Sequence, residues 1–94
     1  MINKTGFILV KPQLPENIGF SARCLKNFGF STLDLVNPKE NWPNKKAIVT
    51  SVGAKDILKR TKVFSDVESA INKYDIVYAS SARKRDINKK HLSF

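Results

Sequence analysis

Ninety-four residues are enough for one domain and too few for two independent cores, and a 41% apolar share is that of a folded protein rather than a disordered one. Seventeen Lys and Arg against eight Asp and Glu leave a net charge of +9, which favours a polyanionic partner, nucleic acid before an anionic membrane. The single Cys24 excludes an internal disulfide, lacks partners for a metal site and fits a reducing cytoplasm, and the apolar run Phe7–Val10 is too short for a signal-peptide core or a membrane span.

In chain order, Gly6–Val10 is a short apolar, β-branched run stopped by Lys11 and Pro12, and it predicts a buried strand. A Pro-rich turn leads into a helix expected over about residues 17–28, with Asn17 as N-cap and Gly29 as a left-handed stop. Ile18, Ala22 and Leu25 fall on its packing face, with Phe28, Phe30 and Phe64 also expected in the core. Leu33–Val36 predicts a second strand closed by Asn37–Pro38. The stretch AIVTSVGAKDIL reads as a helix interrupted near Gly53, and Thr61–Phe64 as a short edge strand. Ser65 and Glu68 have capping-box spacing, which predicts a helix from there to about Lys73, and Asp75–Ala79 predicts a further buried strand. A helix between each pair of apolar strands requires parallel pairing through right-handed crossovers. The expected fold is therefore an α/β open, mainly parallel sheet with flanking helices, and its ligand site should lie beyond the carboxyl ends of the strands, at Lys11–Gln13, Asn37–Pro38 and Ser80–Arg83.

Two positions in the first helix ask for more than packing. Gly19 costs about 0.5–1 kcal/mol relative to alanine inside a helix. Either another backbone or a ligand approaches closely there, or glycine is tolerated because first-turn N–H groups are unpaired anyway. Arg23 lies one turn further along, and a cation near a helix start is disfavoured by about 0.3 kcal/mol or more, so an anionic partner is expected. Free N–H groups beside a guanidinium fork suit a phosphate. Trp42 reads either as loop packing or as a stacking surface for a base. Arg83 to Lys90 carries five cations and one acid, read either as a solvated tail or as part of a basic surface. His91 has no metal-type partners nearby, so no metal is expected. A dinucleotide-binding half-domain would need G-x-G-x-x-G after the first strand, and KPQLPENIG lacks it.

The pattern P-x-N-x-G-x-x-x-R, standing here as Pro15, Asn17, Gly19 and Arg23, resembles the first motif of the SPOUT-class RNA 2′-O-ribose methyltransferases, the SpoU/TrmH family. Leu35–Pro38, Gly53–Asp56 and Ser80–Arg85 resemble the LVNP, GAxD and T/S-S-A-R-x-R stretches of its TrmJ-like branch, in the same order and at similar spacing. The resemblance implies methyl transfer from S-adenosylmethionine to a ribose 2′-hydroxyl of tRNA or rRNA by a cytoplasmic homodimer, with no DNA or membrane partner. It implies that Asn17 and Arg23 lie at the catalytic centre and that Gly19 leaves room for substrate. It further implies that Arg83, Lys84 and Arg85 face RNA, and that Ala79, Ser80 and Ser81 border the cofactor pocket. A guanidinium holds its proton too tightly to serve readily as a base, so Arg23 is expected to clamp phosphate and orient the hydroxyl.

The family's downstream G-x-E-x-x-G-L and S-L-N-like segments, which build the knot and most of the cofactor cage, do not occur in these residues. Residues 1–94 are thus expected to form a single, incomplete methyltransferase domain, the amino-terminal half of an α/β-knot without its knot half. A partial cofactor site and no independent catalysis follow. The alternatives are a non-catalytic RNA-binding fragment or a degenerate remnant.

Overall fold

The structure is a computed structural model that describes residues 4–81. Strands and helices alternate as β1 (Thr5–Val10), α1 (Pro15–Asn27), β2 (Asp34–Val36), α2 (Lys45–Thr50), α3 (Lys55–Arg60), β3 (Val63–Phe64), α4 (Val67–Ile71) and β4 (Ile76–Ser81). Every strand pair is parallel, and the sheet order is β3-β2-β1-β4, with the short β3 at one edge. Pleating sends alternate residues of β1 to opposite faces. Phe7 and Leu9 pack with Ile18, Ala22, Leu25, Ile57 and Leu58 of α1 and α3, while Ile8 and Val10 pack with Ala70 and Ile71 of α4. The register aligns Val10 with Val36 on one side and Ser81 on the other, and Val36 with Phe64. Four strand ends therefore form one level rim.

Gly29 ends α1 at φ 86°, and the reversal is closed by Phe30 N–H donating to Leu25 O (2.9 Å) and Gly29 N–H to Lys26 O (3.0 Å). This paired closure satisfies two of the helix's orphan carbonyls. It also turns Phe28 outward, 74% exposed, so Phe28 is not in the core as its apolar character had suggested. Phe30 is partly exposed too, although its ring lies 4.6 Å from that of Phe7. Gly53, at φ 80°, breaks α2 from α3 where the sequence anticipates an interruption.

Three local expectations are corrected. Helix α1 starts at Pro15, not Asn17: proline's fixed φ suits the first helical position, and Leu14 caps in extended conformation without a side-chain bond. The cap of α4 is Asp66, whose carboxylate accepts from Ser69 N–H (2.7 Å), rather than Ser65, and α4 ends at Ile71. A carboxylate beside the positive end of the helix is the stronger cap.

The third concerns Asp34, which falls in a strand stretch read as apolar and is buried at 2% exposure. Its carboxylate accepts from Tyr74 Oη (2.6 Å) and Lys62 N–H (3.1 Å), with Lys73 Nζ at 3.7 Å, and so ties β2 to the segments entering β3 and β4. Burial first, then the hydrogen bond to Asp34, pushes the Tyr74 hydroxyl up from its usual 10.0 to about 12. The neutral phenol is thus the form the fold favours, so its contribution is complete below pH 10 and is lost as pH climbs toward 12. Urea unfolding of the protein and of Tyr74→Phe should show a stability gap that is constant up to pH 10 and closes by about pH 12. A gap independent of pH across that window would refute the raised Tyr74 hydroxyl.

Candidate active site at the carboxyl rim of the sheet

Lys11 and Asn37 follow β1 and β2 directly, and both hold left-handed backbone, at φ 52° and 47°. For a non-glycine residue that conformation costs about 1–2 kcal/mol, less for asparagine, and it persists only where surrounding bonds impose it. Each precedes a proline, which disfavours the right-handed helical region for it. Lys11 N–H donates to Val36 O (2.7 Å) and Lys39 N–H to Pro12 O (3.0 Å), joining the first two rim loops. Asn37 N–H donates to Phe64 O (3.0 Å) and Asn37 Nδ2 to Ser65 O (2.8 Å), joining the third. A groove of about 520 Å³ opens there, walled by Asn37, Pro38, Trp42, Phe64 and Ser65. Neither left-handed residue is evident from composition; the two X-Pro pairs at strand ends are the signal that could have found them.

Rows of the rim also locate the predicted cofactor residues. Ala79 is buried, Ser80 half-buried, and Ser81 pairs in register with Val10 between the β1 and β4 ends. That is where the direction of connection reverses, since β1 leads to β2 on one side and β4 returns on the other. Arg83, Lys84 and Arg85 lie outside the described residues. Among the described residues, Ala79, Ser80 and Ser81 stand together on one strand end, paired in register with Ile8, Leu9 and Val10 of β1.

Helix α1 leaves the rim and runs back beside the sheet, burying Pro15, Ile18, Gly19, Ala22 and Leu25. At roughly 100° per residue, Asn17, Phe20, Arg23, Cys24 and Asn27 share the solvent side, and all five are exposed. Asn17 sits in the first turn, near the rim. Arg23 lies eight residues in from Pro15, roughly 12 Å along the axis, so it is not at the helix mouth. The macrodipole acts within the first turn, and the electrostatic ground for expecting an anion at Arg23 therefore falls away.

What remains is its isolation. Lys26 and Arg60 share one partner, Asp56, at 2.8 and 3.5 Å, and the Lys26 bond above all holds the Asp56 carboxyl below its usual range. The Arg23 side chain takes no hydrogen bond or ion pair among the described residues. Asn17 and Arg23 do not bond each other either, being separated by roughly 9 Å along the helix.

Gly19 has a different reason from the one its motif suggested. A Cβ there would collide with Thr50 Oγ1 and the Ala47 carbonyl oxygen and sit 3.0 Å from Ser51 N. The room at Gly19 is taken by α2, not left for substrate. Thr50 is held in place by donating to Glu16 O (2.9 Å) of α1 and by contacts to Lys46 and Ala47 carbonyls.

This parallel sheet, with Asn17 and Arg23 on its first helix and Leu35–Pro38 at its rim, matches the SpoU rRNA Methylase family model over residues 4–93. The chain belongs to that family. Among curated members it is 39% identical over 87 residues to the tRNA (cytidine/uridine/adenosine-2′-O-)-methyltransferase TrmJ of Pseudomonas aeruginosa, covering 93% of this chain and 34% of that protein. It is 38% identical over 93 residues to the tRNA (cytidine-2′-O-)-methyltransferase TrmJ of Methanocaldococcus jannaschii, covering 98% and 40%. The crystal structure of TrmJ from Z. mobilis ZM4 superposes with a TM-score of 0.77 at 44% identity, over 90% of this chain and 38% of that one. This SpoU-family chain thus spans between a third and two fifths of the length of the curated relatives it matches.

Proposed function

We propose that this chain is the amino-terminal part of an RNA 2′-O-methyltransferase acting on a ribose 2′-hydroxyl of tRNA, and that residues 1–94 form a single, incomplete methyltransferase domain. The observation that supports this most is Arg23, its side chain unpaired among the described residues, on the exposed strip of α1 in the family's first motif. Arg23 clamps a phosphate of the bound strand and Asn17, nearer the rim, holds the ribose, so the two engage successive parts of one RNA strand rather than a single atom. Rigid orientation of the hydroxyl, not proton abstraction by the guanidinium, is what these groups provide. S-adenosylmethionine supplies the methyl group in the complete enzyme, with Ala79, Ser80 and Ser81 contributing one wall of its site. Arg83, Lys84 and Arg85 add phosphate contacts. The complete enzyme is a homodimer working in the cytoplasm, with rRNA the second candidate substrate. No helix of the described residues is long and apolar enough to cross a membrane.

The proposal separates binding from chemistry. Calorimetry of this chain with S-adenosylmethionine should show no binding, and tRNA should bind with an affinity that falls steeply as salt rises. Replacing Arg83 and Arg85 together by alanine should flatten the slope of log affinity against log salt by about 1–2. Saturable cofactor binding by these residues alone would refute the incomplete site, and tRNA affinity indifferent to salt would remove the RNA role.

A further inference from the structure

A second cavity, of about 450 Å³, lies away from the rim, bounded by Trp42, Pro43, Ile48 and Leu58 with Lys55 and Lys59 beside them. That volume is within the range of sites that take small organic groups. Its walls are apolar, and its cations are of a particular kind. Lys55 and Lys59 stand one turn apart on α3, exposed, where like charges repel. Neither has an ion pair among the described residues, because the neighbouring acid, Asp56, is occupied by Lys26 and Arg60. Trp42 is half-buried, packing on the core with one part and lining the cavity with another. It also walls the groove at the ends of β2 and β3, so its ring stands between the rim and α3. An apolar slot with an indole on one wall and two unneutralised ammonium groups matches a flat base attached to a phosphate.

We propose that this cavity docks one single-stranded nucleotide of the RNA, its base against Trp42 and its phosphate on Lys55 and Lys59. The proposal rests on the RNA-binding reading given above. It adds a contact outside the ribose site, beside the rim groove that Trp42 also walls.

Trp42 is the single tryptophan of the chain, so its fluorescence reports the wall that this cavity shares with the rim groove, and the Lys55 and Lys59 changes assign the signal to the cavity. The chain would be titrated with a short single-stranded oligouridylate and with an unmodified tRNA transcript. Trp42 emission is followed together with the anisotropy of a label on the RNA. Saturable quenching that tracks the anisotropy is expected for both RNAs. Lys55→Gln with Lys59→Gln, exposed changes that leave the core intact, should weaken oligouridylate binding about tenfold and lower the salt slope by roughly 1–2. Trp42→Ala should lose roughly tenfold or more, the size of one stacking contact, and Trp42→Phe should retain most of it. RNA that binds by anisotropy without altering Trp42 emission overturns the cavity and leaves the RNA reading standing. If neither signal responds to tRNA, both readings fall. Quenching by a polyglutamate peptide but not by RNA would assign the cavity to an acidic protein and overturn the proposal.

Discussion

In a chain continued through the G-x-E-x-x-G-L and S-L-N-like segments, Arg23→Ala is expected to lower kcat/KM for tRNA methylation by about 10²–10³-fold, the usual effect of removing a positioned charged contact. The same change should move the unfolding midpoint hardly at all. Arg23 is exposed and unpaired among the described residues, and surface replacements of that kind fall within about 0.5 kcal/mol. Alanine is also the better helix former. Arg23→Lys restores charge but not the planar fork, so a bidentate phosphate contact predicts only partial recovery. Methylation kinetics and a urea titration on the same samples decide the matter. Loss of stability in step with activity would make Arg23 a packing residue, and unchanged kinetics would remove it from the site.

The second large effect is on folding. Gly19→Ala would gain about 1 kcal/mol of helix propensity. Its new methyl, however, meets Thr50 Oγ1, locked by its bond to Glu16 O, and a backbone carbonyl at Ala47 that has no rotamer to change. Overpacking of this kind costs about 1–3 kcal/mol net, and a valine should cost more. For a domain of this size that is a large fraction of roughly 5–10 kcal/mol of total stability. Combining Gly19→Ala with Thr50→Ala should recover part of the loss and no more, since the Ala47 carbonyl remains. Urea midpoints measure both variants. An unaltered midpoint accompanied by weaker RNA binding would return Gly19 to the substrate.

The packing contact and the proposed RNA contact of the first motif are therefore separable in one helix. Gly19 faces α2, while Arg23, the next residue but three, faces solvent. A motif read as one functional unit contains a packing contact and a candidate ligand contact, and only the second should affect substrate.

Much of the fold is legible from near neighbours in the chain. Apolar runs of strand length, the left-handed stops at Gly29 and Gly53 and the alternation of strand and helix are properties of a few consecutive residues, and so is the parallel sheet they require. The charge excess and the spaced first motif likewise point to RNA and to the family without any coordinates. What the tertiary structure alone decided concerns residues far apart in sequence. Gly19 meets Thr50, Asp34 meets Tyr74, and Trp42 comes to share a cavity with Lys55 and Lys59. Two competing local choices are settled within a turn instead: Pro15 over Asn17 at the start of α1 by proline's fixed φ, and Asp66 over Ser65 at the start of α4 by a carboxylate at the helix's positive end. Dihedral preference and hydrophobic period reach only a turn or two along the chain, whereas close approach, burial and neutralisation depend on which distant segment arrives opposite.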